Sequence, residues 1–238
     1  MSAVRLDKYL AQSGERTRSQ AVRAIRDGLA RINGTTVRDP AAKVGERDEV
    51  TLAGEPVYDE ALQYYMLHKP AGVLTAARDG RAQTVMDLVP PALLRRRVLP
   101  VGRLDKDTTG ILILTNDGAL AHDILSPAHH VEKQYVVTLD TALTEEMRRG
   151  FAAGVTLADG ETMAPAGAEP LTDDGKTVLV TLRQGVYHQI KRMFGVYGAG
   201  VNALHRRSIG GVALDAALAP GQWRELTEEE VEKLRQKV

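Results

Sequence analysis

The chain has 238 residues and no cysteine, and its 31 Lys and Arg are matched by 31 Asp and Glu, for a formal net charge of zero. Disulfides and thiolate chemistry are therefore excluded, which suits a reducing cytoplasm, and no apolar run approaches the roughly 18 residues that a membrane helix needs. Apolar residues make up 43%, enough for a core, but with 2 Phe and 1 Trp the packing has to be aliphatic.

Met1 to Arg5 leads straight into a polar helical pattern, so no signal peptide is expected. Thr17-Arg18-Ser19-Gln20 has the form of a capping box, and Ala21, Val22, Ala24 and Ile25 give the following helix an apolar side that Gly28 would end. Arg16, Arg18, Arg23, Arg26 and Arg31 face one acid in this stretch, Asp27. The neutral total thus hides a basic N-terminal patch, set against a mildly acidic end from Glu225 onward. Leu29 to Val37 reads as a hairpin turning at Asn33-Gly34. Val44 to Val50 suggests one further short strand. The polar, proline-bearing stretch Gly54 to Glu60 reads as a linker.

Tyr64 to Val73 restarts an apolar strand that ends in a turn at Pro70. Gly102-Arg103-Leu104-Asp105-Lys106-Asp107-Thr108-Thr109-Gly110 then places a carboxylate between a cation and a small-residue turn, immediately before the apolar run Ile111 to Leu114. That run reads as a buried strand closed by an Asn116-Asp117-Gly118 turn. On residue chemistry alone, Asp105 or Asp107 could equally be an ordinary turn cap. Tyr135 to Leu139 and Thr177 to Leu182 read as strands, and Leu143 to Phe151 as a helix. No repeat and no βαβ rhythm appears, so the expected class is α+β, with a mixed, mostly antiparallel sheet and flanking helices. His129-His130 near Glu132 invites a metal reading. A metal site is not expected, because no third ligand recurs at suitable spacing and adjacent residues on an extended chain point apart.

Gly-Arg-Leu-Asp-x-x-Thr-x-Gly, running into an Ile/Leu strand and Asn-Asp-Gly, resembles the catalytic motif of the pseudouridine synthases that modify ribosomal RNA. Lys69-Pro70-Ala71-Gly72, the segment Ser126 to Tyr135, and Tyr187-His188-Gln189-Ile190-Lys191-Arg192-Met193 fit the same pattern. The resemblance implies that Asp105 is the catalytic aspartate and that Tyr135 lies against the target base. It also implies that Ile190 packs on the uracil and that Lys191 is the cation paired with Asp105. Arg103 would fill the space the flipped base leaves or hold a phosphate. Many relatives carry Arg where this chain has Lys191, so a point charge replaces a bidentate partner.

Arg5-Leu6-Asp7-Lys8-Tyr9-Leu10, the Arg18 helix start, Ile32-Asn33-Gly34 and the strand near Val50 are together similar to the small RNA-binding domain named after ribosomal protein S-four. This implies RNA contacts from Arg5, Lys8, Arg16, Arg18, Arg23 and Arg26. Acids at 46, 48 and 49 confine the RNA face to the helix side. The expected organisation is a small α/β RNA-binding domain over 1–58, a linker at 59–62 and a synthase domain over 63–238. The function implied is isomerisation of one uridine in small-subunit (16S) ribosomal RNA, free or in a partly assembled particle, by a cytoplasmic monomer without cofactor. Two other readings stay open: a large-subunit (23S) enzyme of the same branch, and a non-enzymatic assembly factor.

Overall fold

The computed structural model describes residues 4–12, 17–45, 48–57, 62–126, 129 and 131–236. The chain divides into two compact units, 1–63 with 90–99, and 64–89 with 100–238. The segment 90–99 thus groups with the N-terminal residues, a return that nothing in the sequence suggested.

In the first unit, strand β1 (Val4–Arg5) precedes helices α1 (Leu6–Gln12) and α2 (Arg18–Arg26). Thr17 caps α2 in a complete capping box: its side chain accepts from the Gln20 amide while Gln20 accepts from the Thr17 amide. Strands β2 (Ala30–Ile32) and β3 (Thr35–Thr36) form the expected hairpin, with Asn33 (φ 51°) and Gly34 (φ 80°) both left-handed. This is the backbone that makes Asn-Gly the preferred pair for such turns. The Val44 to Val50 stretch is two strands rather than one. β4 (Lys43–Val44) pairs with β1, and β5 (Val50–Leu52) pairs with β2. Glu55–Val57 is likewise strand β6, not linker, because Pro56 sits on the sheet edge, where a missing amide costs no ladder bond. Leu6, Leu10, Ala21, Ile25 and Ala30 are almost wholly buried beneath these elements. A short helix, α3 (Pro91–Arg95), belongs to this unit.

The second unit is built on one large sheet. Its strands are β7 (Tyr64–Lys69), the short β8 (Leu99–Pro100), β9 (Thr109–Thr115), β10 (Lys133–Leu139), β11 (Gly167–Pro170), β12 (Thr177–Leu182), β13 (Val201–Ile209), β14 (Val212–Ala213) and β15 (Trp223–Glu225). The main path runs β11-β12-β10-β13-β9-β7-β15. Every neighbouring pair on it is antiparallel except β13 with β9, which run parallel over two residue pairs, His205 with Thr109 and Arg206 with Gly110. The expected mixed, mostly antiparallel sheet is therefore present. Helices α4 (Gly118–Leu125), α5 (Glu145–Ala153), α6 (Gln189–Val196) and α7 (Glu228–Arg235) flank it. Asn116-Asp117-Gly118 is more than a strand-closing turn: the Asp117 carboxylate accepts from the Leu120 amide and caps α4, which starts at Gly118.

Two apolar clusters stand out among the described residues of this unit. One gathers Val137, Phe151, Val178, Val180, Met193 and Phe194, with the Phe151 and Phe194 rings 4.5 Å apart. The other gathers Met66, Ile111, Ile113, Leu120, Ile124 and Leu234. β9 and β13 lie at the seam between them. Gly110 makes that seam possible: its φ is 113°, and a β-carbon there would collide with the Arg206 carbonyl and lie 2.6 Å from the Arg206 amide.

Candidate active site

Asp105 sits on the loop leading into β9 and borders a cavity of about 650 Å³ within the second unit. That volume falls inside the range of small-molecule and base-sized sites. Leu104 beside it is buried, so the loop is anchored rather than trailing over the surface. Its anchors are largely main-chain. The Thr75 hydroxyl accepts from the Leu104 amide (3.1 Å) and donates to the Leu104 carbonyl (2.7 Å). The Gly72 amide donates to the Lys106 carbonyl, and the Thr108 amide closes a turn on the Asp105 carbonyl. Lys69 is fully buried and donates its ammonium to the carbonyls of Pro70, Lys106 and Thr108. Burial holds the Lys69 ammonium down to about 8, although the charges of Asp107 and Asp105 oppose the shift.

Tyr135 on β10, Ile190 and Lys191 on α6, and Arg103 on the loop all line the same cavity as Asp105. Tyr135 and Ile190 are buried, while Arg103 is exposed. The expected ion pair of Lys191 with Asp105 is present, but Asp105 shares the lysine with a second carboxylate. The ammonium lies 3.6 Å from Asp105 but makes its hydrogen bonds to Asp107, at 2.9 and 2.7 Å. Those bonds hold the Asp107 carboxyl below its ordinary range. Lys191 thus spans two carboxylates, and the shorter contacts go to the more exposed one.

His188 completes the cluster. Its Nε2 lies 3.5 Å from Asp105, and its backbone is left-handed (φ 50°), a strained state for a residue with a side chain. The Tyr187 ring stacks on it at 3.8 Å and stands largely in solvent. From the sequence, Asp107 was read only as a possible turn cap and His188 only as part of a motif, and neither was assigned to the site.

The cavity is also lined by two buried cations that the sequence reading passed over, Lys133 on β10 and Arg206 on β13. Lys133 donates to the Val131 carbonyl, and Arg206 Nε to the Ile111 carbonyl. Burial pushes the Lys133 ammonium down to about 8, with the Arg206 charge adding to the effect. A lysine whose pKa falls on folding is a burden below that value. The unfolded chain holds the extra proton between about 8 and 10.5, so the burden lifts as pH rises through that window. Lys133→Met should therefore melt at or above wild type at pH 7, with the gap narrowing toward pH 10, a trend that thermal melts at several pH values will read.

The proposed RNA-contacting residues of the first unit divide into three sets. Lys8, Arg23 and Arg26 are exposed. Arg5 and Arg18 converge on the buried Asp7 carboxylate, at 2.9 and 3.2 Å, and hold its pKa down to about 2, so each has a structural partner as well. Arg16 lies outside the described residues, as do Glu46 and His130. His129 Nδ1 lies 3.1 Å from Asp123.

Comparison with known proteins matches residues 63–195 to the RNA pseudouridylate synthase family and residues 4–50 to the S4 domain. An uncharacterised RNA pseudouridine synthase of Bacillus subtilis is 45% identical over 98% of this chain and 99% of its own length. Ribosomal small subunit pseudouridine synthase A of Haemophilus influenzae is 41% identical over 97% of this chain and 99% of its own, and that of Escherichia coli K12 is 40% identical over 96% and 98%. A crystal structure of a pseudouridylate synthase superposes with a TM-score of 0.70 at 40% identity, covering 98% of this chain and all of that one. With Asp105, Tyr135, Ile190 and Lys191 around one cavity and a family match over more than half its length, this chain belongs to the RNA pseudouridylate synthases and carries an S4 domain ahead of its catalytic domain.

Proposed function

We propose that this protein isomerises a specific uridine of small-subunit ribosomal RNA to pseudouridine, with Asp105 as the group that acts on the sugar. The observation that carries the reading is the placement of Asp105 on an anchored loop at the wall of a cavity that also presents Tyr135 and Ile190. The small-subunit assignment draws on the names of the Haemophilus and Escherichia relatives.

The chemistry suits the residues. A base in an RNA stem is unreachable, so it must be turned out of the helix, at a cost of a few kcal/mol. Tyr135 offers the extruded base an aromatic face, worth about 1–3 kcal/mol in stacking, and Ile190 closes the apolar side. Arg103, exposed on the loop, fills the vacated stack or holds a phosphate. Asp105, as a carboxylate, acts either as nucleophile at the anomeric carbon or as base at its neighbour. Lys191 supports that charge, shared with Asp107. The exposed cations Lys8, Arg23 and Arg26 grip the RNA backbone from the first domain, with Arg5 and Arg18 beside them. The domains run over 1–58 and 63–238, and the protein works as a monomer in the cytoplasm, on free or partly assembled ribosomal RNA.

Incubating the protein separately with small- and large-subunit RNA, then mapping pseudouridine at nucleotide resolution, tests the reading. One new site in small-subunit RNA is expected. Modification confined to large-subunit RNA would replace the substrate, and modification of neither, even within assembling particles, would reject the activity. Lys191→Met should bind the RNA within a few-fold of wild type yet turn over at least ~10²-fold more slowly. Equal turnover at neutral pH would remove Lys191 from the mechanism.

A further inference from the structure

Lys133 and Arg206 are unusual for what they lack. Lys133 is 7% exposed and Arg206 3%. Among the described residues, neither has a carboxylate partner at ion-pair distance. Among the described residues, one terminal nitrogen of Arg206, Nη2, is buried with no hydrogen-bond partner, and the Lys133 ammonium, which has three donors, donates to the Val131 carbonyl. A buried charge without a counter-charge is among the most costly features a fold can carry. Two of them on one cavity wall need a reason outside the fold's own stability.

Their register shows where the charge points. Lys133 and Tyr135 alternate on one face of β10, and Arg206 is the direct cross-strand partner of Tyr135. The two cations therefore flank the ring of Tyr135. Apolar side chains, Leu182, Leu204 and Ile209 among them, line the cavity around them.

We propose that Lys133 and Arg206 form a cationic floor that holds the negative charge appearing on uracil when its glycosidic bond breaks. This rests on the pseudouridine-forming activity and on Tyr135 as the seat of the base. When the N1–C1′ bond breaks, its electron pair stays on N1 and the base becomes an anion. Asp105 meanwhile bonds C1′, or takes the neighbouring C2′ proton and later returns it. After the base turns, C5 bonds to C1′, any Asp105–C1′ bond breaks to restore the carboxylate, the C5 proton leaves and N1 gains a proton, so composition is unchanged. Between those two events the base is a free anion held in the cavity. Fixed donors aimed at charge that develops only then lower the barrier without tightening substrate binding. Backbone phosphates are a poorer match for this floor. They stay hydrated at the mouth, where the exposed Arg103 and Lys106 lie.

The test uses whichever RNA the wild-type protein modifies, so a wrong choice of ribosomal subunit overturns the substrate reading and leaves this one in force. Single-turnover rate and RNA affinity are measured for Lys133→Met and for Arg206→Lys, which keeps a cation should the first variant fail to fold. Expected are a rate at least ~10²-fold lower for Lys133→Met and at least ~10-fold lower for Arg206→Lys, with Kd within ~3-fold of wild type. Placing 4-thiouridine at the target, whose detached base is the weaker base, should shrink both defects. An unchanged rate overturns the proposal. So does weaker binding with a salt slope reduced by about one, the mark of a lost phosphate contact. A defect equally large with the thio base overturns it too. If wild type rejects the thio base, the split between rate and affinity decides alone.

Discussion

Asp105→Asn should bind its RNA as tightly as wild type and form no measurable pseudouridine, a loss of at least ~10⁴-fold, as when the reacting group of other enzymes is removed. The substitution keeps the shape of the side chain and removes its charge, so the loop has little cause to move. Thr75 and Lys69 hold that loop through the main chain of Leu104, Lys106 and Thr108, none of which the substitution alters. Lys191 retains its hydrogen bonds to Asp107. Nucleotide-resolution mapping with equilibrium binding on the same RNA checks both halves. Residual activity near wild type would move the chemistry to another group, with Asp107 the first to examine.

Gly110→Ala should be the most damaging small change in the second unit. The new methyl would meet the backbone of Arg206, which cannot swing aside as a side chain can, and alanine is strained at φ 113°. Strain and overpacking together cost roughly 2–5 kcal/mol, which lowers Tm by about 5–15 °C in a chain of this size. Gly118→Ala is the matched control. It opens α4 with nothing within 4 Å of its added carbon, so it should leave Tm unchanged or raise it slightly. Calorimetry on both variants separates the close approach from a general intolerance of alanine.

Much of the site was legible because its members travel in motifs. Asp105, Tyr135, Ile190 and Lys191 were each named because their motifs resemble those of a known family, and the fold brings them to one cavity. What the motif could not convey was that Lys191 would divide its charge between Asp105 and Asp107. The two carboxylates are two residues apart, and the curvature of the loop between them sets the division. Lys133 and Arg206 were invisible for a different reason: they meet only through the β10–β13 register. The available clue was a lysine at an inward position of a strand, next to a tyrosine already assigned to the site. In the first unit the polar stretch around Pro56 was read as linker, and only the sheet order shows that it stands on an edge. The Arg5 and Arg18 side chains, read as RNA contacts, also answer a local need, the buried charge of Asp7.

The manner in which the Asp105 loop is held has a consequence for how such an enzyme can change over generations. Its braces grip carbonyls and an amide, which every residue type but proline possesses, and the exposed side chains of Arg103 and Lys106 take no part in them. Those two positions can therefore be exchanged freely while the carboxylate stays in place. A lineage could acquire a new RNA target, or an engineer could select one from a library randomised at both codons, without repeating the work of aligning the reactive group.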